Sequence, residues 1–95
     1  MGITDIIWKE RFVEKLSSKH NVSIMEAEEV LLSHPLIRRV TKGRVRGEDV
    51  YSALSQIHNG RYLIVFFIKK KYIMILLISA RDMDQSERKY YEKNK

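Results

Sequence analysis

Cysteine is absent from the 95-residue chain, which excludes a disulfide framework and a thiolate metal site and makes a reducing cytoplasm the natural compartment. Histidine is scarce and scattered. His20, His34 and His58 have no metal-ligand spacing between them, so neither a metal nor another cofactor is expected. A phosphate-binding glycine loop and a nucleophile elbow are both missing. Pro35 is the single proline, no linker, low-complexity segment or repeat interrupts the chain, and the length suits one domain, residues 1–95, around one core. Long apolar runs are missing too. Tyr62–Ile68 and Tyr72–Ile78 are each too short to span a bilayer and are split by Lys69-Lys70-Lys71, so they read as a hairpin. Near the N-terminus, Asp5, Lys9 and Glu10 interrupt any apolar core of a signal peptide. A soluble cytoplasmic protein with no membrane partner is the expectation. What the chain has in excess is positive charge, +6 formally, which suits an anionic partner although small soluble proteins are often this basic without one.

The stretch from Ile73 to Tyr91 organises the rest. Ile73 to Ile78 carries no charge and no turn residue, and reads as a strand buried on both faces. Asp84 with Glu87 three residues on resembles a capping box and opens a helix over Asp84–Lys93. Arg81 is thereby expected where the strand has stopped and the helix has not begun, its guanidinium free to face a groove.

Upstream, Asp5 to Trp8 is either a short edge strand or a lead-in that packs Trp8 on the core. Phe12, Val13 and Leu16 recur at helical spacing among charges between Lys9 and Ser18. Lys19-His20-Asn21 ends that helix, with Asn21 as a left-handed cap. Ser23 and Glu26 form a second capping box, followed by the stripe Ile24, Ala27, Val30 and Leu31, until Pro35 stops the helix. Arg38, Arg39, Lys42, Arg44 and Arg46 then crowd a short segment read as a strand or ribbon turning near Lys42-Gly43. Val50–Ile57 is strand-like, and Asn59-Gly60 is the strongest turn signal in the chain. The sum is an α+β domain: two N-terminal helices, a four-stranded, largely antiparallel sheet and a C-terminal helix.

Three segments together resemble the BrnT toxin family, the ribonuclease half of a toxin–antitoxin pair. They are Trp8 followed by Lys19-His20, Val22-Ser23 and Glu26-Ala27; Gly47-Glu48-Asp49 and Tyr51 followed by Asn59-Gly60-Arg61-Tyr62-Leu63; and Ile78-Ser79-Ala80-Arg81 with Glu87-Arg88 and Tyr91. The resemblance covers nearly the whole chain. It implies a RelE-like fold with an RNA groove across one sheet face, metal-independent endoribonuclease activity, and neutralisation by a BrnA-type antitoxin whose DNA-binding part represses the shared operon. The chain departs from the family pattern in three places. Asn21 replaces a usual glycine, Val50 stands where arginine is frequent, and Asp82 where many relatives are basic. The last two remove positive charge near the expected groove.

RNA cleavage without a metal needs the 2′-hydroxyl deprotonated, the pentavalent phosphate stabilised and the leaving 5′-oxygen protonated. Arg81 suits phosphate stabilisation because a planar guanidinium bonds two phosphoryl oxygens at once. Its bland alternative is an ion pair with Asp82, Asp84 or Glu87. His20 suits acid–base work, or else simply meets the last carbonyls of its helix. Glu48 is a general base, a carboxylate orienting Arg46 or Arg81, or a solvated acid. Tyr51 stacks on a base or belongs to the sheet surface, and Lys19 contacts phosphate or is only solvated. Arg38, Arg39, Arg44 and Arg46 suit a sequence-independent contact to the RNA backbone, an acidic antitoxin tail, or an edge strand protected by charge. An exposed sheet edge also permits a homodimer or a heterotetramer with the antitoxin. The rival to a toxin is a catalytically weak or inactive relative that binds RNA or protein.

Overall fold

Two capping boxes mark where helices begin, and both are formed. The computed structural model describes residues 5–41, 49–71 and 74–95. Strand β1 (Asp5–Ile7) leads into helix α1 (Glu10–Lys19), and α2 (Ile24–Leu32) follows after Asn21, whose φ of 52° is the left-handed turn expected of it. At the start of α2, Ser23 Oγ accepts the Glu26 N–H at 3.1 Å while Glu26 Oε1 accepts the Ser23 N–H at 3.0 Å. Ser33 closes α2 two residues before Pro35, and His34 leaves it with φ 57°.

Four more strands follow: β2 (Leu36–Thr41), β3 (Val50–Gln56), β4 (Tyr62–Lys71) and β5 (Met74–Asp82). Asn59 and Gly60 make the β3–β4 turn, where Gly60 at φ 96° donates to the Ile57 carbonyl at 2.9 Å. Helix α3 (Gln85–Asn94) begins at the second capping box, Asp84 with Glu87. No helix among the described residues is long and apolar enough to cross a membrane.

The sheet has five strands in the order β1-β5-β4-β3-β2, one more than the four expected. The addition is β1, which pairs with β5 in parallel through Asp5, Ile6 and Ile7, while the other neighbours are antiparallel. It is the edge-strand alternative for Asp5–Trp8, and three residues carry too little alternation for the sequence to choose it over a lead-in.

Strand alternation sends residues to two unequal faces. Leu63, Val65 and Phe67 of β4, with Ile75, Leu77 and Ala80 of β5, pack beneath Leu16 of α1 and Ala27, Val30 and Leu31 of α2, and this is the main core. Each of the larger side chains contributes roughly 1.5–3 kcal/mol by leaving water, and the two alanines less. On the other face, Leu54, Ile64 and Met83 are covered by Tyr90 and Tyr91 of α3, which itself buries no residue fully. This corrects the expectation that β5 is buried on both faces. Leu76, Ile78 and Ser79 are half-buried and Met74 is exposed, because the short α3 covers only one end of that face. A second correction concerns length: β5 runs through Arg81 to Asp82 instead of stopping at Ile78. The expected turn near Lys42-Gly43 lies outside the described residues, as does Ile73.

Candidate functional site

Arg81 is placed by sheet register. It pairs with Ile64, and Asp82 pairs with Leu63. Directly opposed residues share a face, so Arg81 points to the α3 side with Ile64, and Asp82 to the α1–α2 side with Leu63. A bulge at Ile78, between the Phe66–Ser79 and Phe67–Leu77 pairs, sets this phase.

On its own side Arg81 is tightly engaged. Its Nη1 and Nη2 donate to Glu87 Oε1 and Oε2 at 2.7 and 2.9 Å, Nη1 also donates to the Asp82 carbonyl at 3.1 Å, and the guanidinium lies 5.4 Å from the Phe66 ring centroid. Glu87 comes from the first turn of α3, where the same carboxylate caps the helix through the Asp84 N–H. The Arg81 hydrogen bonds hold the Glu87 carboxyl below the usual carboxylate range, against a smaller desolvation that raises it. Glu87 raises Arg81 in return.

Across from Arg81, on the same face, stands Arg38. It pairs with Ser52 of β3, which pairs in turn with Phe66 of β4, so the three form one row across the sheet. The Arg38 guanidinium sits 4.4 Å over the Tyr90 ring of α3. Arg38, Ser52, Phe66, Arg81 and Glu87 together line a hollow of about 300 Å³ between the edge strand β2 and the start of α3. Two guanidiniums, an aromatic face and a serine hydroxyl around one depression suit a phosphate with a base or sugar beside it. A wider trough of about 850 Å³ follows the outer side of α3 past Arg88, Lys89 and Lys93, among Gln85 and Glu92.

The other expected residues fall elsewhere. Arg39, next to Arg38, points to the opposite face with its partner Tyr51 and lies 3.7 Å from Asp49. Tyr51 is stacked on Phe67, ring centroids 5.7 Å apart, against the main core. Lys19 is exposed at the end of α1. His20 follows it on the helical layer. Glu48, Arg44 and Arg46 lie outside the described residues. Of the residues singled out in sequence, the structure therefore brings Arg38 and Arg81 together, with Arg39 at the rim, and keeps His20, Lys19 and Tyr51 on the other side of the sheet.

Beside His20, which closes α1, lies Arg61 from the Asn59-Gly60-Arg61 turn. Arg61 Nε and Nη2 donate to Asp82 Oδ1 and Oδ2 at 3.1 and 3.2 Å, and Nη1 donates to both Glu26 oxygens at 3.1 Å. The same guanidinium reaches the carbonyls of Asn21 at 2.9 Å and His20 at 3.5 Å. Glu26 is lowered first by the Ser23 backbone N–H and, after opposing desolvation, by Arg61. Arg61 is raised chiefly by Asp82. Asp82 thus ties β5 to the α1–α2 turn and does not face the hollow. Val50, the other departure, does share the hollow's face with Ser52.

Sequence reasoning missed Ser52, Phe66 and Tyr90 as parts of the site, and read Glu87 only as a cap or ion-pair partner. Alternation in β3 and β4 was the available signal for Ser52 and Phe66, two strand residues that share a face once register is known. Nothing local announced Tyr90, whose ring meets the Arg38 guanidinium only because α3 folds back. Among the described residues no group of three or more His, Cys, Asp or Glu is placed to hold a metal ion.

A mixed, mostly antiparallel sheet with two helices on one face, and a short C-terminal helix beside a hollow lined by arginines on the other, is a RelE-like α+β fold. The family model for BrnT, the ribonuclease toxin of a type II toxin–antitoxin system, matches residues 8–87, and the chain belongs to that family. It is a ribonuclease toxin of a toxin–antitoxin system, which implies an RNA target and an antitoxin. No curated protein sequence matches the chain.

Proposed function

We propose that the hollow between β2 and α3 is where RNA is cut, by metal-independent attack of the 2′-hydroxyl on the adjacent phosphodiester. The observation that carries this reading is the pair Arg81 and Arg38 facing one depression of about 300 Å³ with the Phe66 ring between strands. Arg81 stabilises the charge that builds on the phosphoryl oxygens, and Arg38 binds a neighbouring phosphate, whereas Arg39 faces away and has no part in this contact. Glu87 positions Arg81. Acid and base roles for His20 and Glu48, and RNA contacts for Lys19 and Tyr51, rest on the family motif, and those for Arg44 and Arg46 on the positive charge of the segment Arg38–Arg46. His20 lies on the helical layer, and Glu48 lies outside the described residues.

In this reading the protein works in the cytoplasm and is silenced by a BrnA-type antitoxin that covers the half-open sheet face, the toxin being a homodimer or part of a heterotetramer with the antitoxin. The test is incubation of total RNA with purified protein in EDTA, followed by analysis of the new ends. Cleavage leaving a 2′,3′-cyclic phosphate and a 5′-hydroxyl is the expected result. Cleavage abolished by EDTA, or products with a 5′-phosphate, contradict it.

A second reading is a catalytically silent relative that binds RNA or protein. It is favoured by one observation: both terminal nitrogens of Arg81 are already committed to Glu87. Folded protein that binds RNA or antitoxin but cuts nothing supports it.

A further inference from the structure

Ser52 is 1% exposed, and its hydroxyl has no hydrogen-bond partner among the described residues. The contrast with Ser55 is direct. Ser55, three residues along the same strand and also buried, shares a hydrogen bond of 3.2 Å with Ser33. A buried hydroxyl left unpaired costs stability that alanine at the same place avoids. The orphan also has a definite address. Ser52 lies in the row Arg38–Ser52–Phe66 and lines the same hollow as Arg81. Register rules out the helical layer, because the flanking Tyr51 and Ala53 take that side.

A buried oxygen donor on the floor of a hollow that two guanidiniums also line matches one chemistry well. A phosphate carries several acceptor oxygens in a tetrahedral array, which can take N–H donors from two sides and an O–H from below. We infer that Ser52 is a ligand-binding residue whose hydroxyl donates to a non-bridging oxygen of a phosphodiester seated between Arg38 and Arg81. The inference rests on the hollow being the RNA site and deepens it by assigning the floor of the phosphate subsite. No bond is made or broken by Ser52. Its contact is present in bound substrate as well as in the transition state, so its loss acts mainly on KM.

The experiment compares wild type, Ser52→Ala and the near-isosteric Ser52→Cys, which covers the case in which alanine fails to fold. Two probes are used: a 2′-O-methyl dinucleotide, which cannot be cut, and inorganic phosphate. Binding is read by titration calorimetry and thermal stability by melting without ligand. Both variants are expected to melt at or above the wild-type temperature, to bind the dinucleotide about tenfold more weakly, and to lose the stabilisation that inorganic phosphate gives wild type. In cleavage, KM rises by a similar factor with kcat little changed. Unchanged dinucleotide affinity in a folded variant overturns the inference, as does a drop of many degrees in melting temperature, which would give the hydroxyl a structural role. Failure here and failure of the ribonuclease reading are distinguishable. Wild type that cuts RNA with Ser52→Ala binding equally well removes only the subsite. Ser52-dependent phosphate binding without any RNA cleavage keeps the subsite and removes the ribonuclease reading.

Discussion

Glu87 receives both terminal nitrogens of Arg81, at 2.7 and 2.9 Å, and with the same carboxylate accepts the Asp84 N–H at 2.8 Å. One side chain therefore caps α3 and aims the arginine at the end of β5. The position of α3 and the direction of Arg81 are fixed together.

Glu87→Gln separates these duties. Glutamine at the third helical position still completes a capping box, but the charged pair is lost. Stability falls by about 1 kcal/mol, a shift of about 4–8 °C in a domain of this size. RNA cleavage falls about tenfold although Arg81 keeps its charge, because an unheld guanidinium is poorly oriented. Cleavage that rises instead means that Glu87 masks Arg81.

Two of the carboxyls bound to arginines, Glu87 and Glu26, give the stability an acid limit. Glu87 and Glu26 are both held below their ordinary value of 4.5, Glu87 mainly by Arg81 and Glu26 mainly by the Ser23 N–H. A folded pKa below the unfolded one means that the unfolded chain binds protons more readily. Their contribution is complete above the unfolded value and is lost as pH falls through the folded one. Melting temperature should be nearly flat from about pH 7 to about pH 5 and then drop, and Glu87→Gln should flatten that drop. A variant with the wild-type slope would show that the Arg81–Glu87 pair contributes nothing to it.

Arg61 joins the β3–β4 turn, the α1–α2 turn and the end of β5 through Glu26 and Asp82. Removing it takes one donor group from two carboxylates and two carbonyls. Arg61→Ala should cost about 1–3 kcal/mol. Asp82→Ala should cost less, since the Asp82 side chain is 62% exposed. Both variants, kept below their melting temperatures, should still cut RNA, because their side chains face the helical layer. Loss of cleavage by folded Asp82→Ala would contradict that placement. Denaturant unfolding and an RNA cleavage assay check both halves.

Local chemistry was legible where a short spacing fixes it. Ser23 with Glu26, Asp84 with Glu87, Asn21, Pro35 and Asn59-Gly60 each mark a helix end or turn that the structure contains. Faces were harder. Arg38 and Arg39 look like one basic cluster in sequence, yet strand alternation sends Arg38 to the hollow and Arg39 to the opposite face with Tyr51. Neighbours Arg81 and Asp82 are divided in the same way, so the acid beside Arg81 points away from the hollow and pairs with Arg61 instead. The bulge at Ile78 sets that phase, and a bulge is a product of pairing with β4, which no local pattern encodes. Burial of β5 was overestimated for a related reason. An apolar run shows that both faces tolerate burial, but not how far a ten-residue helix reaches across the sheet.

The most direct test of Arg81 as the phosphate-stabilising group is cleavage of total RNA in EDTA by wild type and Arg81→Ala, with melting curves of both. The expected result is a loss of about a hundredfold or more in cleavage, with a melting temperature within several degrees of wild type. Wild-type cleavage by the folded variant would contradict the account, and so would collapse of its melting transition, which would make Arg81 a strut for α3.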